Sequence, residues 1–402
     1  MRLQTTICVI GSGAVGKVTA LGFAQAGHDV LLLGQAPPST LPASQAWDVR
    51  VYALNHAARA LLESVRVWDA MDEARIAPVE AMKVVGDDPT RAGRLDFDAF
   101  GARVGTLAWI VEDANLNQAL DTALKFAPKV KQIAAQSRDL QISDELATIT
   151  LDNGDTIEAS LLVGADGAQS WVRGQCDIDI ASRSYYQRAV VTNFTCALPH
   201  HDVARQWFSA DEGIIALLPL PGQRVSLVWS APQHLAQQLA GESLASIAQR
   251  LAAYCAADLG ELTPLQPEVV KILPLNLLHS QTIAAPRVAL VGDAAHVVHP
   301  LAGQGMNLGF ADVVSLLQTV AERDAQTDCG DARVLARYAR SRKEDILLMQ
   351  LTTDGLVRLF ASDFPPLRLA RNMGMNLLNR LPALKRQLLS HAMGKIKSTT
   401  TL

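Results

Sequence analysis

Short apolar runs and a glycine-rich turn follow one another in a regular order near the amino terminus. Residues 7–10 and 30–33 are wholly apolar runs of the kind that form buried strands. Between them lie a glycine-rich turn and an apolar helical stretch that ends at Gly27. A buried run, a turn, a helix and a second buried run predict a strand–helix–strand unit.

Strand-like and helical patterns alternate along the rest of the chain. Strand-like runs dominate residues 73–108 and 181–275, although a helix is predicted at 243–256. A hairpin turn is predicted at Asp152-Asn153-Gly154-Asp155, because an Asn-Gly pair suits the tight turn between two strands. Residues 331–394 have a helical pattern. The mixture predicts an α/β protein.

The turn after the first strand has the spacing of a nucleotide-binding loop. It reads Gly11-Ser12-Gly13-Ala14-Val15-Gly16. In such a turn the first glycine allows a tight bend, the second lets backbone approach a pyrophosphate, and the third lets helix pack on strand. The motif alone is weak, but its position between a strand and a helix favours a dinucleotide site at Gly11, Gly13, Ala14, Val15 and Gly16.

Two further segments show a strand that ends in a turn before a helix. Residues 287–307 contain an apolar run ending in Gly292-Asp293, and a Gly-x-Gly then begins a helix. A carboxylate placed there can bind a sugar-like hydroxyl, and the unpaired helix amides can face an electron-rich ring. Residues 161–173 contain a run ending at Asp166, for which capping of the next helix is the alternative interpretation.

These motifs resemble the FAD fingerprints of the single-component flavoprotein aromatic monooxygenases, and especially the ubiquinone-biosynthesis hydroxylase subgroup. The resemblance runs from Ile7 to about Gly394 and includes residues 48–54 and 111–120. It implies FAD as cofactor, NAD(P)H as transient electron donor, O2 as co-substrate, and ring hydroxylation through a flavin hydroperoxide. Only one dinucleotide fingerprint is present, which fits a donor that binds transiently.

The resemblance also implies roles for single residues. Asp293 would contact the ribityl chain, Asp166 would lie near the pyrophosphate, and Arg50 would lie near the flavin or its pyrophosphate. Asn117 stands where the family has a glutamine that faces FAD. The residues implied to border the isoalloxazine ring are Pro300, Gly303, Gln304, Gly305, Met306 and Asn307. For Arg50 a solvated helix start is the alternative.

His296 and His299 are the titratable residues nearest to that loop in sequence. Imidazoles can transfer protons to or from a phenolic substrate near neutral pH, so both are catalytic candidates. The alternative for each is a structural role in stabilising the turn.

One position departs from the usual dinucleotide pattern. An acidic residue normally ends the second strand and binds the adenosine ribose. This chain has Gly34 there, followed by Gln35, which can bond a ribose hydroxyl without charge. The sequence therefore predicts weakened FAD binding, and a Gly34→Glu substitution is expected to strengthen it.

The motifs and patterns together predict an interleaved architecture. Residues 1–72, 109–180 and 276–350 would form a discontinuous, Rossmann-like FAD-binding domain. Residues 73–108 and 181–275 would form a mostly antiparallel β-sheet substrate domain. Residues 351–402 would form basic, amphipathic C-terminal helices.

Composition excludes several other classes. The chain has 402 residues and a formal net charge of -4, which argues against nucleic-acid binding. Five cysteines, odd in number and without Cys-x-x-Cys spacing, suggest a reducing compartment and no bound metal. No apolar run approaches the roughly 20 residues of a membrane-spanning helix. A cytoplasmic protein is expected.

The C-terminal segment has its own charge pattern. Residues 355–402 contain eight Lys or Arg residues against Asp363 alone, interleaved with leucines. Such a tail can bind the inner face of an anionic membrane or a partner in a quinone-synthesis complex. The alternative is a helical face that packs on the core.

The subgroup resemblance implies a polyprenyl phenol or quinol precursor as substrate. A soluble aromatic acid is the first rival, and it would require an arginine such as Arg183, Arg188, Arg205 or Arg224 to bind its carboxylate. A non-catalytic flavoprotein subunit of a quinone-synthesis complex is the second.

Overall fold

A computed structural model describes residues 1–34, 46–88, 92–362 and 364–394. Within these ranges the strands are β1 (Arg2–Ile10), β2 (Val30–Gly34), β3 (Val51–Leu54), β4 (Ile76–Val79), β5 (Ala81–Val85), β6 (Arg94–Asp98), β7 (Ala108–Glu112), β8 (Val130–Ala134), β9 (Ser137–Ile142), β10 (Ala147–Leu151), β11 (Thr156–Gly164), β12 (Ile180–Cys196), β13 (Val203–Ser209), β14 (Gly213–Leu220), β15 (Arg224–Pro232), β16 (Leu262–Pro264), β17 (Lys271–Ser280), β18 (Ala284–Ala285), β19 (Val288–Leu290) and β20 (His296–Val297). The helices are α1 (Ala14–Gln25), α2 (His56–Ser64), α3 (Ala99–Ala102), α4 (Asp113–Lys125), α5 (Trp171–Gln175), α6 (Gln233–Gly241), α7 (Leu244–Leu259), α8 (Gln304–Ala321), α9 (Ala332–Ala361), α10 (Pro365–Asn379) and α11 (Pro382–Ala392).

The first sheet has a parallel centre in the order β8-β2-β1-β11-β19. Its central strands carry apolar side chains on both faces because helices cover both. Ile7, Cys8 and Val9 of β1 have no exposed area. The predicted hairpin joins β10 to β11 as an antiparallel pair, with Gly154 at φ +82° in its turn. The predicted Rossmann-like arrangement is confirmed.

The second sheet is mostly antiparallel and has the order β20-β17-β12-β15-β14-β13-β5-β6. Helices α6 and α7 pack against it over a core that includes the fully buried Trp229 and Ile247. A third, small sheet joins β3 and β4 to opposite sides of β7. Strands β4 and β5 are separated at Glu80, because β4 belongs to the small sheet and β5 to the large one.

Helix α10 lies against the edge strand β6 with its polar side chains facing the protein. Asn372, Asn376 and Asn379 accept hydrogen bonds from backbone amides of Gly93, Arg94 and Asp96 at 2.6, 2.9 and 3.0 Å. Asp87 forms ion pairs with Arg368 and Arg371, and the Asp87 and Arg371 side chains are buried. These contacts fix α10 and cover part of the sheet edge.

The apolar side chains of α10 and α11 consequently face outward. Their exposed apolar residues are Leu369, Met373, Leu377, Leu381, Leu384 and Leu388, with exposed fractions from 43% to 62%. The structural interpretation of the tail required its leucines to pack on the core, and these exposed side chains do not. None of the helices in the described ranges combines the length and apolar character needed to cross a membrane.

Candidate active site

Three strands of the first sheet end at one edge, and the turns that follow them meet there. Backbone hydrogen bonds join Ala165 N to Ile10 O at 2.7 Å and Val291 N to Gly164 O at 2.9 Å. The carboxyl ends of parallel strands in such sheets form ligand-binding crevices. The Gly11–Gly16 turn, the Asp166 turn and the Asp293 turn thus belong to one site.

Close packing explains the first and third glycines of the turn. Gly11 has φ +124°, and a Cβ there would lie 2.1 Å from the Ala165 carbonyl oxygen. A Cβ on Gly16 would lie 1.9 Å from the Gly11 carbonyl oxygen. Side chains at these two positions would push the turns apart.

The second glycine leaves open space in front of helix α1. A Cβ on Gly13 would meet no atom within 4 Å, and Gly13 caps α1 without a side-chain hydrogen bond. Ala14 is buried beneath the turn, and Val15 packs beside Gly292. The first amides of α1 therefore face a clear space, which suits a pyrophosphate.

Asp293 follows β19, and its side chain is exposed within a concave region. No hydrogen bond to its carboxylate is formed by the described residues. Burial by the surrounding protein raises the pKa of Asp293, while His296 and Arg50 act to lower it. An accessible carboxylate in a recess of this kind can bind a ligand hydroxyl.

Arg50 begins a chain of contacts that leads to α1. Its guanidinium lies 5.5 Å from the centre of the Tyr52 ring, and Tyr52 Oη donates to Asp113 Oδ1 at 2.7 Å. Asn117 Nδ2 donates to the same carboxylate at 2.8 Å. The Asn117 Oδ1 accepts from the buried Lys17 at 3.1 Å. Asn117 is thus already bonded to two protein groups.

The Asp166 carboxylate caps helix α5. Its oxygens accept from Ser170 Oγ at 2.5 Å and from Val172 N at 3.1 Å. The buried Arg173 donates to the carbonyl oxygens of Ala168 and Ala294, each at 2.8 Å. Asp166 therefore has the capping contacts of its structural alternative, and Arg173 ties its turn to the Asp293 turn.

Helix α8 begins at Gln304, within the Gly-x-Gly where the sequence predicts a helix start. Gly303 precedes it at φ +65° without a side-chain cap, and Gly305 has open space where a Cβ would lie. Pro300 and Met306 are half-buried beside this helix start. The first amides of α8 are thereby directed at a site that a flat ring can approach.

Asn307 serves to fasten this helix start. Its Oδ1 accepts from Asn55 N at 3.0 Å, and its Nδ2 donates to Ala53 O at 2.9 Å. Its side-chain amide therefore joins α8 to the end of β3. A direct contact of Asn307 with a ligand remains a prediction.

The two histidines differ in their surroundings. His296 is buried, and its Nε2 lies 2.6 Å from Asp312 Oδ2, which matches the structural alternative. His299 is also buried, and its Nε2 donates to Gln187 Oε1 at 3.1 Å. The His299 Nδ1 has no partner among the described residues. Burial lowers the pKa of His299 to about 4, so the ring is neutral at pH 7.

Gly34 is tightly packed against the glycine turn. A Cβ on Gly34 would lie 2.6 Å from Ser12 Cβ and 3.1 Å from Ser12 N. The structure thus argues against the expectation that a glutamate here would strengthen FAD binding. Gln35, the other residue expected at the ribose, lies outside the described residues.

An apolar cavity of about 110 Å3 adjoins the start of α8. Its wall contains no charged side chain; the lining residues are Ala53, Asn55, Val79, Met82, Leu107, Ala108, Ile110, Ala204, Leu218, Gln304, Asn307, Leu389 and Met393. None of the four arginines considered for a substrate carboxylate is among them. Within the described ranges, no three His, Cys, Asp or Glu side chains are arranged to hold a metal ion.

The fold and the converging fingerprints define a dinucleotide-dependent flavoprotein, and comparison with known families agrees. Residues 4–347 match the family model described as an FAD binding domain. The chain therefore belongs to this family of FAD-dependent monooxygenases, and FAD is its cofactor.

Two relatives match nearly the whole chain. One is 3-demethoxyubiquinol 3-hydroxylase of Escherichia coli (strain K12), 35% identical and covering 97% of this chain and 98% of the relative. Another is the ubiquinone hydroxylase UbiL of Rhodospirillum rubrum, 34% identical with coverages of 97% and 90%. The fold is also that of p-nitrophenol 4-monooxygenase PnpA from Pseudomonas putida DLL-E4, with a TM-score of 0.75, 17% identity and coverages of 98% and 99%.

Several residues at this site carry no recognisable signal in the sequence. Lys17 and Arg173 look like ordinary surface charges in their helices, although both are buried. The cavity wall is assembled from the second and third sheets, α8 and α11, so its members are far apart along the chain. The one hint in the sequence is Lys17, a charged residue directly after the third glycine of the turn.

Proposed function

We propose that this protein hydroxylates the aromatic ring of a polyprenyl phenol or quinol in ubiquinone biosynthesis, using O2 and electrons from NAD(P)H. The observation that carries the proposal is the 35% identity to 3-demethoxyubiquinol 3-hydroxylase over 97% of this chain. The uncharged, apolar cavity beside α8 supports it, because such a wall suits an aromatic ring without a carboxylate.

The accessible groups at the sheet edge fit FAD, since they present amides and one free carboxylate around an open space. In the proposal, Gly11 to Gly16 and the start of α1 bind the pyrophosphate, with Arg50 nearby. Asp293 binds a ribityl hydroxyl. The residues from Pro300 to Asn307 border the flavin ring, where the partial positive charge of the α8 N-terminus favours an electron-rich group.

Bound FAD supplies the redox chemistry that activates oxygen. The protein orients the substrate ring and keeps water away from it. His299 is the better candidate for proton transfer, because its neutral ring offers an unpartnered Nδ1 lone pair. His296 is assigned a positioning role through Asp312. Asn117 and Asp166 are assigned to orienting the neighbouring groups that they bond.

The acid-hydroxylase alternative is less well supported, because three of the four candidate arginines are engaged elsewhere. Arg183 pairs with Asp354, and Arg205 pairs with Asp258. Arg224 bonds the Pro221 carbonyl oxygen and lies over the Trp47 ring. Binding a substrate carboxylate through any of these three would require its contact to be broken, which leaves Arg188 as the candidate for this alternative.

We also propose that α10 and α11 bind the surface of an anionic membrane. Their outward leucines form an apolar strip, and Arg380, Lys385 and Arg386 lie beside it. Polyprenyl substrates partition into lipid, so an enzyme docked there would meet them at high local concentration. The apolar strip between the cations favours an anionic lipid surface over an acidic protein, because a lipid surface accommodates both the charges and the leucines.

The test begins with the absorption spectrum of the purified protein, which should show bound or acquired oxidised flavin. The FAD-loaded protein is then given NADPH, oxygen and a prenylated methoxyphenol, and the products are analysed by mass spectrometry. Gain of one oxygen on the ring is expected. A colourless protein that takes up no FAD would support the non-catalytic subunit instead, and turnover of hydroxybenzoate alone would support the acid hydroxylase.

A further inference from the structure

The apolar cavity has room for no more than the ring of such a substrate and not for a polyprenyl chain. Its volume is about 110 Å3, and for comparison an engineered apolar cavity of about 150 Å3 binds one benzene molecule. A substrate with its ring in this cavity must therefore lead its prenyl chain out through the wall. The residues of the wall indicate where the prenyl chain leaves the cavity.

Helix α11 forms the outer part of that wall. Lys385, Leu389 and Met393 lie at intervals of four residues, which places them on one face of the helix. Leu389 and Met393 line the cavity. Leu384 and Leu388, on the same helix, are 44% exposed and belong to the outward apolar strip. Helix α11 thus has leucines both in the cavity and at the surface.

Helix α11 packs on α3 and α10 and is fastened near both of its ends. Lys385 Nζ donates to Asn379 Oδ1 at 3.1 Å near its start. After its last turn, Gly394 packs so closely on Ala57 that a Cβ would lie 2.7 Å from the Ala57 Cβ. Few of its side chains are buried, so displacing α11 should require little free energy.

Resting on the proposed function, we propose that the prenyl chain of the substrate leaves the cavity beneath α11 and continues along the outward leucines of α10 and α11. In this arrangement α11 is the element that selects prenylated over chainless rings. The same leucines that face the membrane would extend the lipid phase to the cavity wall. The substrate could then remain partly in lipid during the reaction.

A second cavity of about 200 Å3 offers the rival route. It lies beside Tyr185, Gln187 and Ser209, on the side of the protein where His299 bonds Gln187. Its wall mixes apolar side chains such as Ile214, Val357 and Phe360 with polar groups, so it suits a prenyl chain less well than the almost wholly apolar first cavity. If the prenyl chain does not leave beneath α11, it is expected to lie in this second cavity.

The experiment maps the position of the chain directly. The FAD-loaded protein is incubated with a methoxyphenol whose three-isoprene chain carries a photoreactive diazirine on its second unit, then irradiated and analysed by peptide mass spectrometry. Labelling within residues 377–394 that the chainless methoxyphenol suppresses is expected. Suppressible labelling at residues 185–214 would overturn the proposal and assign the chain to the second cavity.

A matched pair of variants supplies a second readout. Leu389→Trp, which faces the cavity, should raise KM for the three-isoprene phenol about ten-fold while kcat changes little. Ser390→Trp, at the exposed neighbouring position on the same helix and outside the leucine strip, should leave both parameters near those of the wild type. Equal effects of Leu389→Trp on prenylated and chainless phenols would overturn the proposal. If wild type hydroxylates neither phenol, the proposed function itself fails, which is a separate result.

Discussion

Asp312 Oδ2 lies 2.6 Å from His296 Nε2, and both side chains are buried. The same carboxylate accepts from Gly292 N at 2.9 Å and from Arg342 Nε at 2.8 Å. Burial acts to raise the pKa of Asp312, but His296 and Arg342 hold it below its ordinary value. One ionised side chain therefore joins α8 and α9 to the turn that carries Asp293.

Replacing this carboxylate should destabilise the protein strongly. Asp312→Ala is expected to lower the free energy of unfolding by about 3–5 kcal/mol, because it removes the buried carboxylate partner of the buried Arg342. Urea denaturation with and without FAD measures the change. Asp345→Ala is the matched control, since Asp345 binds the same arginine but is 65% exposed. Its loss should cost less than about 1 kcal/mol. Equal losses for the two variants would refute the assigned role of Asp312.

The buried His299 should make stability depend on pH. Burial lowers the pKa of His299 to about 4 from an ordinary value of 6.5. Between these values the unfolded chain binds a proton that the folded protein does not, so stability falls as pH decreases from about 6.5 to 4. The displacement of the pKa corresponds to roughly 3 kcal/mol at the acidic end.

Urea unfolding between pH 4.5 and 7 compares wild type with His299→Gln. The variant should lose part of the acid sensitivity, whereas the exposed control His234→Gln should keep it. An unchanged dependence on pH in His299→Gln would show that this imidazole is not held neutral by burial.

Asp293→Ala should lose FAD affinity while the fold remains intact. The side chain is accessible and has no hydrogen bond from the described residues, so its removal breaks no internal contact. A charge-assisted hydrogen bond contributes roughly 1.5–3 kcal/mol, so FAD affinity should fall about ten- to a hundred-fold. Fluorescence titration of the apoprotein measures it, with Asp293→Asn as the variant that keeps the shape. Wild-type affinity in Asp293→Ala would remove Asp293 from the site.

The local patterns of the chain were sufficient to predict the Rossmann-like unit and its three fingerprint turns. Each is a strand, a turn and a helix contiguous in sequence, so its geometry depends on neighbours along the chain. The orientation of the tail is different. The periodicity of the sequence shows that α10 has an apolar side. It does not show which side packs on the protein, because that depends on backbone amides at the start of β6, which donate to Asn372 and Asn376.

Gly34 illustrates the same limit at a single position. Its place in the motif predicts that a restored acid would strengthen FAD binding, but the approach of Ser12 arises from the fold of two separate strands. Gly34→Glu is now expected to weaken FAD binding and lower stability. Gly34→Ala should do the same, because the clash begins at Cβ. Gly241→Ala is the control, since a Cβ there meets no atom within 4 Å. Titration with FAD and thermal unfolding give the two readouts, and tighter binding in Gly34→Glu would restore the original expectation.

Membrane binding should depend on the outward leucines as well as on charge. Arg358, Arg368 and Arg371 are paired with Asp354 or Asp87, so fewer basic side chains can face lipid than the count in the tail suggests. Arg380 and Arg386 are exposed, and Lys385 is half-buried. Each cation near an anionic bilayer contributes about 1 kcal/mol, and burial of the leucines adds about 25 cal/mol per Å2 of apolar surface.

Co-sedimentation with anionic and neutral vesicles separates the two contributions. Changing Arg380, Lys385 and Arg386 to Glu should abolish the preference for anionic vesicles and the sensitivity of binding to salt, since screening acts on charges alone. Changing Leu377, Leu384 and Leu388 to Gln should weaken binding to both kinds of vesicle, because these side chains enter the interface whatever its charge. Lys131→Glu, on the distant strand β8, is the charge control and should bind as wild type does. Negligible binding by the wild-type protein to anionic vesicles at low salt would exclude the lipid surface and leave the leucine strip as a contact for another protein.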